Sequence, residues 1–293
     1  MHSNTKPTIL PVFAILYTAT LWGIVWYPLR LLEDAGLHGI WSTFLVYFAT
    51  LPVAIYFVAR NWRDLTRRPM LLLLIAIANG ICNTAFILAV LDGVVMRVLL
   101  LFYLSPVWTV FFGMIILRER LTRLSALTLI VAMIGALIML WDPAIGGPWP
   151  QSYTDWLALL AGLTFAISNV LVRKMQDVSI QIKTAMIWLG VVAVAGLGLV
   201  VEQLPVPDIG LDVYAGAFTL GIIGFMTMTF AVQYGVTHLP VQRSAVILLF
   251  ELVVGAVSSQ LLTNEIMTVT EWFGGALIVT AAYFAATRGK ECA

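Results

Sequence analysis

Ten apolar runs, each long enough to cross a bilayer, fill most of this 293-residue chain. They cover residues 9–29, 40–59, 70–91, 94–117, 121–141, 155–172, 184–201, 214–234, 241–262 and 269–286. A hydrocarbon core of ~30 Å takes about 20 helical residues at a rise of about 1.5 Å each. Strands of a membrane barrel would alternate apolar and polar over ~10 residues, and these runs do not alternate. Composition agrees: 61% of the residues are hydrophobic, 11% are charged and the mean hydropathy is +0.98. A soluble domain carries about 25% charged residues. The expected fold is therefore all-α and integral to the membrane, with ten transmembrane helices. The first run is too long for the core of a signal peptide and a second follows closely, so it reads as a span.

Orientation follows from the basic residues, which concentrate in cytoplasmic loops. With the N-terminus inside, 14 of the 16 Lys and Arg fall on the inner side, and only Arg30 and Arg97 fall outside. The acids lean the other way: Glu33, Asp34, Asp92, Asp142, Asp155, Glu202, Asp208, Asp212, Glu265 and Glu271 all sit on outer loops. A wrong span count would scramble this alternation. The expectation is a multi-pass protein of a bacterial inner membrane with both termini cytoplasmic.

The loop at 142–155 holds Pro143, Gly146, Gly147, Pro148 and Pro150, helix breakers suited to a connector. It divides the chain into residues 1–145 and 146–293, five spans each, so equivalent helices point in opposite directions. An offset of 146 positions pairs Arg97 with Arg243, Val107 with Val253, Glu119 with Glu265 and Thr122 with Thr268. Identity over that stretch is only 4 of 26, so the warrant is the joint agreement of helix ends, turn acids and loop lengths. Inverted repeats of this kind build many secondary transporters, with the site near the midplane where the halves meet.

Several motifs then resemble the drug/metabolite transporter superfamily and its ten-helix EamA-type exporters. They are Leu21-Trp22-Gly23 in span one, Leu104-Ser105-Pro106-Val107 with Glu119 closing span four, Gly135 in span five, and Glu265 followed by Gly275. The chain departs from the family at span nine, where Glu251-Leu252 stands in place of a usual second proline. Within the family, its overall character is most similar to bacterial aromatic amino-acid exporters. The resemblance implies two inverted five-helix repeats around a central cavity and export by alternating access.

Candidate site residues come from what is costly or unusual inside a span. Glu251 is an acid in mid-span, where a charge costs ~2.5–3.5 kcal/mol on insertion scales. It reads either as a partner for a substrate amine or proton, or as a hydrogen-bonded tie to a neighbouring helix. Asn79 and Asn83, one turn apart in span three, share a face and read as substrate ligands or as interhelical glue. Ser168 and Asn169 form a second such pair. Trp22 lies deeper than an interfacial belt residue, and with Tyr103 it suits stacking or cation–π contact. Pro106 frees a backbone carbonyl in span four and reads as a gating hinge or a static kink. Spans one, three, four, six, eight and nine are expected to line the cavity, with five and ten peripheral.

Other chemistries find no support. No Gly-Lys-Ser/Thr phosphate loop, nucleophilic triad or His-Glu-x-x-His is present. Cys82 and Cys292 read as a buried filler and a tail thiol, and three scattered histidines make no metal site. Net charge is +1, which gives no bulk case for nucleic acid. The function expected is an ATP-independent exporter of small metabolites, amino acids and aromatic ones first, needing no cofactor and no metal. Its partners would be the substrate, the lipid bilayer and, where transport is coupled, protons, and its state a monomer or weak dimer. Export of cationic or aromatic drugs is the alternative within transport. A membrane-embedded enzyme or an assembly or receptor subunit is the alternative of another class.

Overall fold

The computed structural model describes residues 9–93, 95–141, 149–263 and 267–287. Lys6, residues 142–148, Glu265, Arg288, Lys290 and Cys292 lie outside them. Ten helical segments follow one another: α1 (Ile9–Asp34), α2 (Gly39–Phe48 and Leu51–Arg60), α3 (Pro69–Asp92), and α4 (Val95–Phe102, Ser105–Phe112 and Gly113–Leu117). Then come α5 (Arg123–Leu140), α6 (Tyr153–Lys174), α7 (Ile180–Val201), and α8 (Leu211–Thr219, Leu220–Phe225 and Met226–His238). Last are α9 (Val241–Leu248 and Phe250–Leu262) and α10 (Val269–Thr287). Among the described residues, nine stretches are long and apolar enough to cross a membrane. The two pieces of α2, bent by 41°, make the tenth when taken as one span. The bend has a local cause: Pro52 sits in the first turn of the second piece and cannot donate to the Phe48 carbonyl.

Helices form here because every backbone polar group in lipid must be satisfied within its own segment. Leu73, Ile77, Leu127, Ile130 and Phe273 remain exposed on the outer surface, as an apolar solvent allows. The ends of the helices alternate between a basic end, where the Arg- and Lys-bearing loops lie, and an acidic end.

The 146-position offset reappears in the helix boundaries. Val241 opens α9 at the place where Val95 opens α4, and Val269 opens α10 where Arg123 opens α5. His238 closes α8 where Asp92 closes α3. The packing obeys the same exchange. α1 packs on α8 and α9, and α6 packs on α3 and α4; α2 packs on α7, and α5 on α10. Glycines set the closest approaches. A Cβ on Gly190 of α7 would lie 2.1 Å from the Ala76 carbonyl oxygen of α3. Gly135 and Gly274 likewise let α5 and α10 touch backbone to backbone, with each Cβ position 2.6 to 2.7 Å from the other's carbonyl oxygen.

Both α4 and α9 are broken in mid-membrane. In α4 the break falls at Tyr103–Leu104, and Pro106 sits in the first turn of the next piece. Pro106 has no N–H for the Phe102 carbonyl; that oxygen sits against Gly162 of α6, 2.7 Å from where a Cβ would stand. In α9 the break falls at Leu249, the counterpart of Tyr103, without any proline. Leu249 has ψ −16°, and the Leu252 N–H reaches its carbonyl in an i→i+3 bond of 3.1 Å.

Candidate functional site

The two broken helices face each other across a cavity of about 410 Å³ walled by α1, α4, α6, α8 and α9. α1 contributes Trp22, α4 contributes Phe102, Tyr103, Pro106 and Thr109, and α6 contributes Phe165 and Asn169. Val236 of α8, together with Ser244 and Glu251 of α9, completes the wall.

Its aromatic side is continuous. Trp22 meets Phe165 edge-on with centroids 5.9 Å apart, Phe165 lies 5.7 Å from Phe102, and Phe102 lies 5.4 Å from Tyr103. Opposite stands one acid. The Tyr103 hydroxyl donates to Glu251 Oε1 from the facing helix. Glu251 Oε2 is buried and has no hydrogen-bond partner among the described residues. No Lys or Arg is among the residues of this wall. A half-satisfied carboxylate beside π faces is suited to a cationic group, which the acid attracts by charge and the rings by their quadrupoles.

The structure thus brings Trp22, Tyr103, Asn169, Glu251 and Pro106 to one cavity and places Asn79, Asn83 and Ser168 elsewhere. Asn79 Nδ2 donates to Ser168 Oγ and to the Ile75 carbonyl (2.9 Å). Asn83 Nδ2 donates to the Asn79 carbonyl at 3.0 Å, and the Tyr47 hydroxyl donates to Asn83 Oδ1 at 3.4 Å. These amides join α3 to α6 and α2. Contrary to the expected set of lining helices, α3 contributes no residue to the cavity wall.

Toward the basic end, four helix termini are tied together. Arg173, in the last turn of α6, donates Nε to Glu119 Oε1 at 3.2 Å and Nη1 to the Thr237 carbonyl at 2.6 Å. Glu119 follows α4, and its Oε2 accepts from the Val241 N–H at the start of α9 (3.1 Å). A carboxylate there complements the positive end of a helix. Lys183 is fully buried and donates to Thr237 Oγ1 (2.7 Å), the Val172 carbonyl (3.3 Å) and the Met175 carbonyl (3.2 Å). Lys183, just ahead of the apolar run 184–201, belongs to the first turn of α7 and closes the ends of α6 and α8. Its only signal was its place at a span edge, where lysines are ordinary.

At the acidic end, Arg97 Nε pairs with Asp155 Oδ2 at 2.7 Å, with side chains only 9% and 1% exposed. Asp155 also takes part in a capping box with Ser152 that starts α6. Beside this end α1 and α9 pack through Gly23, whose Cβ would meet the Glu251 carbonyl oxygen at 2.7 Å and the Gly255 nitrogen at 2.8 Å. Trp26 Nε1 donates to Ser258 Oγ (2.9 Å), which donates to the Gly23 carbonyl (2.8 Å).

Known proteins carry the same architecture. The EamA-like transporter family matches residues 9–141 and again residues 152–287. An uncharacterized transporter of Archaeoglobus fulgidus is 25% identical over 273 residues, covering 93% of this chain and 94% of that protein. Protein RarD of Salmonella typhi is 28% identical over 144 residues, 47% of this chain; the alignment spans about half of that relative (49%). A solved crystal structure superposes with a TM-score of 0.78 at 18% identity, over 96% of each chain, and shares the fold. The two family matches together take in all ten helices, so the chain belongs to the EamA-like transporter family.

Proposed function

We propose that this transporter is a secondary exporter of amino acids, aromatic ones preferred, working by alternating access in a bacterial inner membrane with both termini cytoplasmic. The observation that carries the reading is Glu251, whose free Oε2 stands in an aromatic-walled cavity between two broken helices. The substrate amine docks on Glu251, and its ring lies among Trp22, Phe165 and Tyr103. Its carboxylate finds the Asn169 amide. Asn79, Asn83 and Ser168 act as contacts between helices and not as ligands. Residues 1–145 and 146–293 form the two inverted repeats, and the breaks at Pro106 and Leu249 are the hinges about which α4 and α9 tilt. Differential binding to the two states moves the population between them.

A second reading has its own observation. The cavity wall offers one carboxylate and no cationic side chain, which favours cationic aromatic compounds lacking a carboxylate. Flux in proteoliposomes of purified protein separates the two. Labelled phenylalanine, tyrosine and tryptophan are compared with a quaternary aromatic amine, with and without a pH gradient. Amino-acid flux that falls about tenfold or more in Glu251→Gln, the loss of one charge-assisted contact, supports the first reading. Flux of the quaternary amine with none of any amino acid overturns it.

A further inference from the structure

Arg243, in the first turn of α9 at the basic end, is a buried cation in an unusual position. It is 6% exposed, and a guanidinium does not deprotonate in a protein. A charge so placed is costly unless something balances it. Its counterpart across the 146-position offset, Arg97, is balanced by Asp155. The residue corresponding to Asp155 in the other half is Ile9, apolar and 58% exposed, so Arg243 has no equivalent acid. Among the described residues no carboxylate lies within ion-pair distance of it. Instead Nε donates to the Ala285 carbonyl (2.6 Å) and Nη2 to the Ala286 carbonyl (2.7 Å) in the last turn of α10. A helix C-terminus carries only about half a negative charge, which leaves part of the guanidinium's positive charge without a full counter-charge.

Beside this guanidinium lies a second cavity of about 240 Å³, between the basic ends of α5, α9 and α10 and separate from the central one. Ser125, Thr128 and Gln242 line it together with Arg243, and Leu124 and Phe284 give it an apolar wall. Ser125 belongs to the first turn of α5, where the helix dipole favours an anion; its own N–H is capped by Thr122 Oγ1 at 3.1 Å. Its hydroxyl shares a hydrogen bond of 3.0 Å with Thr122 in which either oxygen can donate, so its proton is available to a ligand. Arg118 and Arg120 are exposed on the neighbouring connection, and Arg123 is exposed at the start of α5. Gln242 Nε2 holds that connection over the cavity through the Arg120 carbonyl at 3.3 Å.

We infer that this pocket binds a phosphate group, carried by an acidic phospholipid headgroup or free in solution. A guanidinium fork matches phosphate oxygens in geometry and charge, and basic pockets between membrane helices are where acidic headgroups settle. The exposed Leu127 and Ile130 of α5 give an acyl chain an apolar track away from the pocket.

Purified full-length protein, stripped of lipid in a neutral detergent, tests this by native mass spectrometry and thermal unfolding. Phosphatidylglycerol, phosphatidylcholine and inorganic phosphate are added separately to wild type, Arg243→Gln, Arg243→Lys and Ser125→Ala. Wild type should retain phosphatidylglycerol about tenfold more tightly than phosphatidylcholine, and Arg243→Gln should lose that preference. Should Arg243→Gln fail to fold, Arg243→Lys and Ser125→Ala carry the test with losses of about threefold, one hydrogen bond each. Specific binding of inorganic phosphate that depends on Arg243, with no preference for phosphatidylglycerol, assigns the pocket to a soluble phosphate. Equal retention of both lipids, or identical binding by all variants with no phosphate effect, overturns the inference. The readout is binding, so it stands apart from any result on flux.

Discussion

Asn79 and Asn169 are both amides inside spans, one on α3 and one on α6, and their surroundings give them different work. Asn79 spends its amide on Ser168 and the Ile75 carbonyl, whereas Asn169 lines the central cavity. Asn79→Ala should lower thermal stability by about 0.6 kcal/mol, the average for a membrane hydrogen bond, and leave the half-saturating substrate concentration unchanged. Asn169→Ala should raise that concentration about threefold to tenfold, one hydrogen bond's worth, at unchanged thermal stability. Flux titrations and unfolding curves on both variants check the pair, and a reversed result would exchange their roles. Sequence reasoning could not separate them. Helical spacing says which residues share a face, but not which helix stands opposite. Trp22, Tyr103 and Glu251 were legible for a better reason: a tryptophan or an acid deep in lipid needs a protein surface or a cavity. What stayed hidden was their meeting, since Tyr103 and Glu251 are 148 positions apart. Lys183 was hidden more completely, because a buried lysine at a helix end looks in sequence like any basic loop residue.

Helices α3 and α7 meet through two unforgiving positions, Gly80 and Gly190; a Cβ on Gly190 would lie 2.1 Å from the Ala76 backbone oxygen and 2.5 Å from its carbon. Backbone cannot swing aside as a side chain can, so Gly190→Ala must part the two helices. Overpacking of this kind costs about 1–3 kcal/mol. Gly190→Ala should therefore unfold at a clearly lower temperature, and Gly190→Val should lose most of the folded yield; size-exclusion profiles and melting curves read both. An unchanged melting curve for Gly190→Ala would mean that the α3–α7 contact is looser than described. Breaks within helices were legible only where proline writes them. Pro106 announced the one in α4, and Pro52 marks the bend in α2. The break in α9 has no such mark, since Leu249 makes it with an ordinary side chain. The helix boundaries recur at the 146-position spacing although only 4 residues in 26 are identical. Residue identity decays quickly among interchangeable apolar side chains, while span lengths remain fixed by bilayer thickness.

Across the whole molecule, the two ends of the helix bundle are held together by unlike contacts. Glu119 and Arg173 hold the basic end, with side chains 19% and 25% exposed. Replacing Glu119 by Gln removes the ion pair and weakens the cap on α9. In a chain with Cys82 and Cys292 changed to serine, a cysteine at Ser244 should then react about fivefold to tenfold faster with a membrane-impermeant thiol reagent applied at the basic end. A bias of 1.4 kcal/mol or less between two states suffices for that change. Equal labelling rates would show that the ion pair does not hold this end shut. Overall architecture was the most legible level of all, because ten spans and a charge alternation leave few ways to thread a bilayer.

The contrast between the ends reaches into the solution around the protein. The acidic end rests on a buried ion pair and on glycine contacts between backbones, neither of which dissolved ions can reach. The ion pair at the basic end is partly wetted, and mobile ions weaken such pairs within a screening length of about 8 Å at physiological strength. Salt concentration on one face of the membrane would therefore loosen one door and leave the other as it was, making the ionic composition of a single compartment a bias on which way the cavity faces.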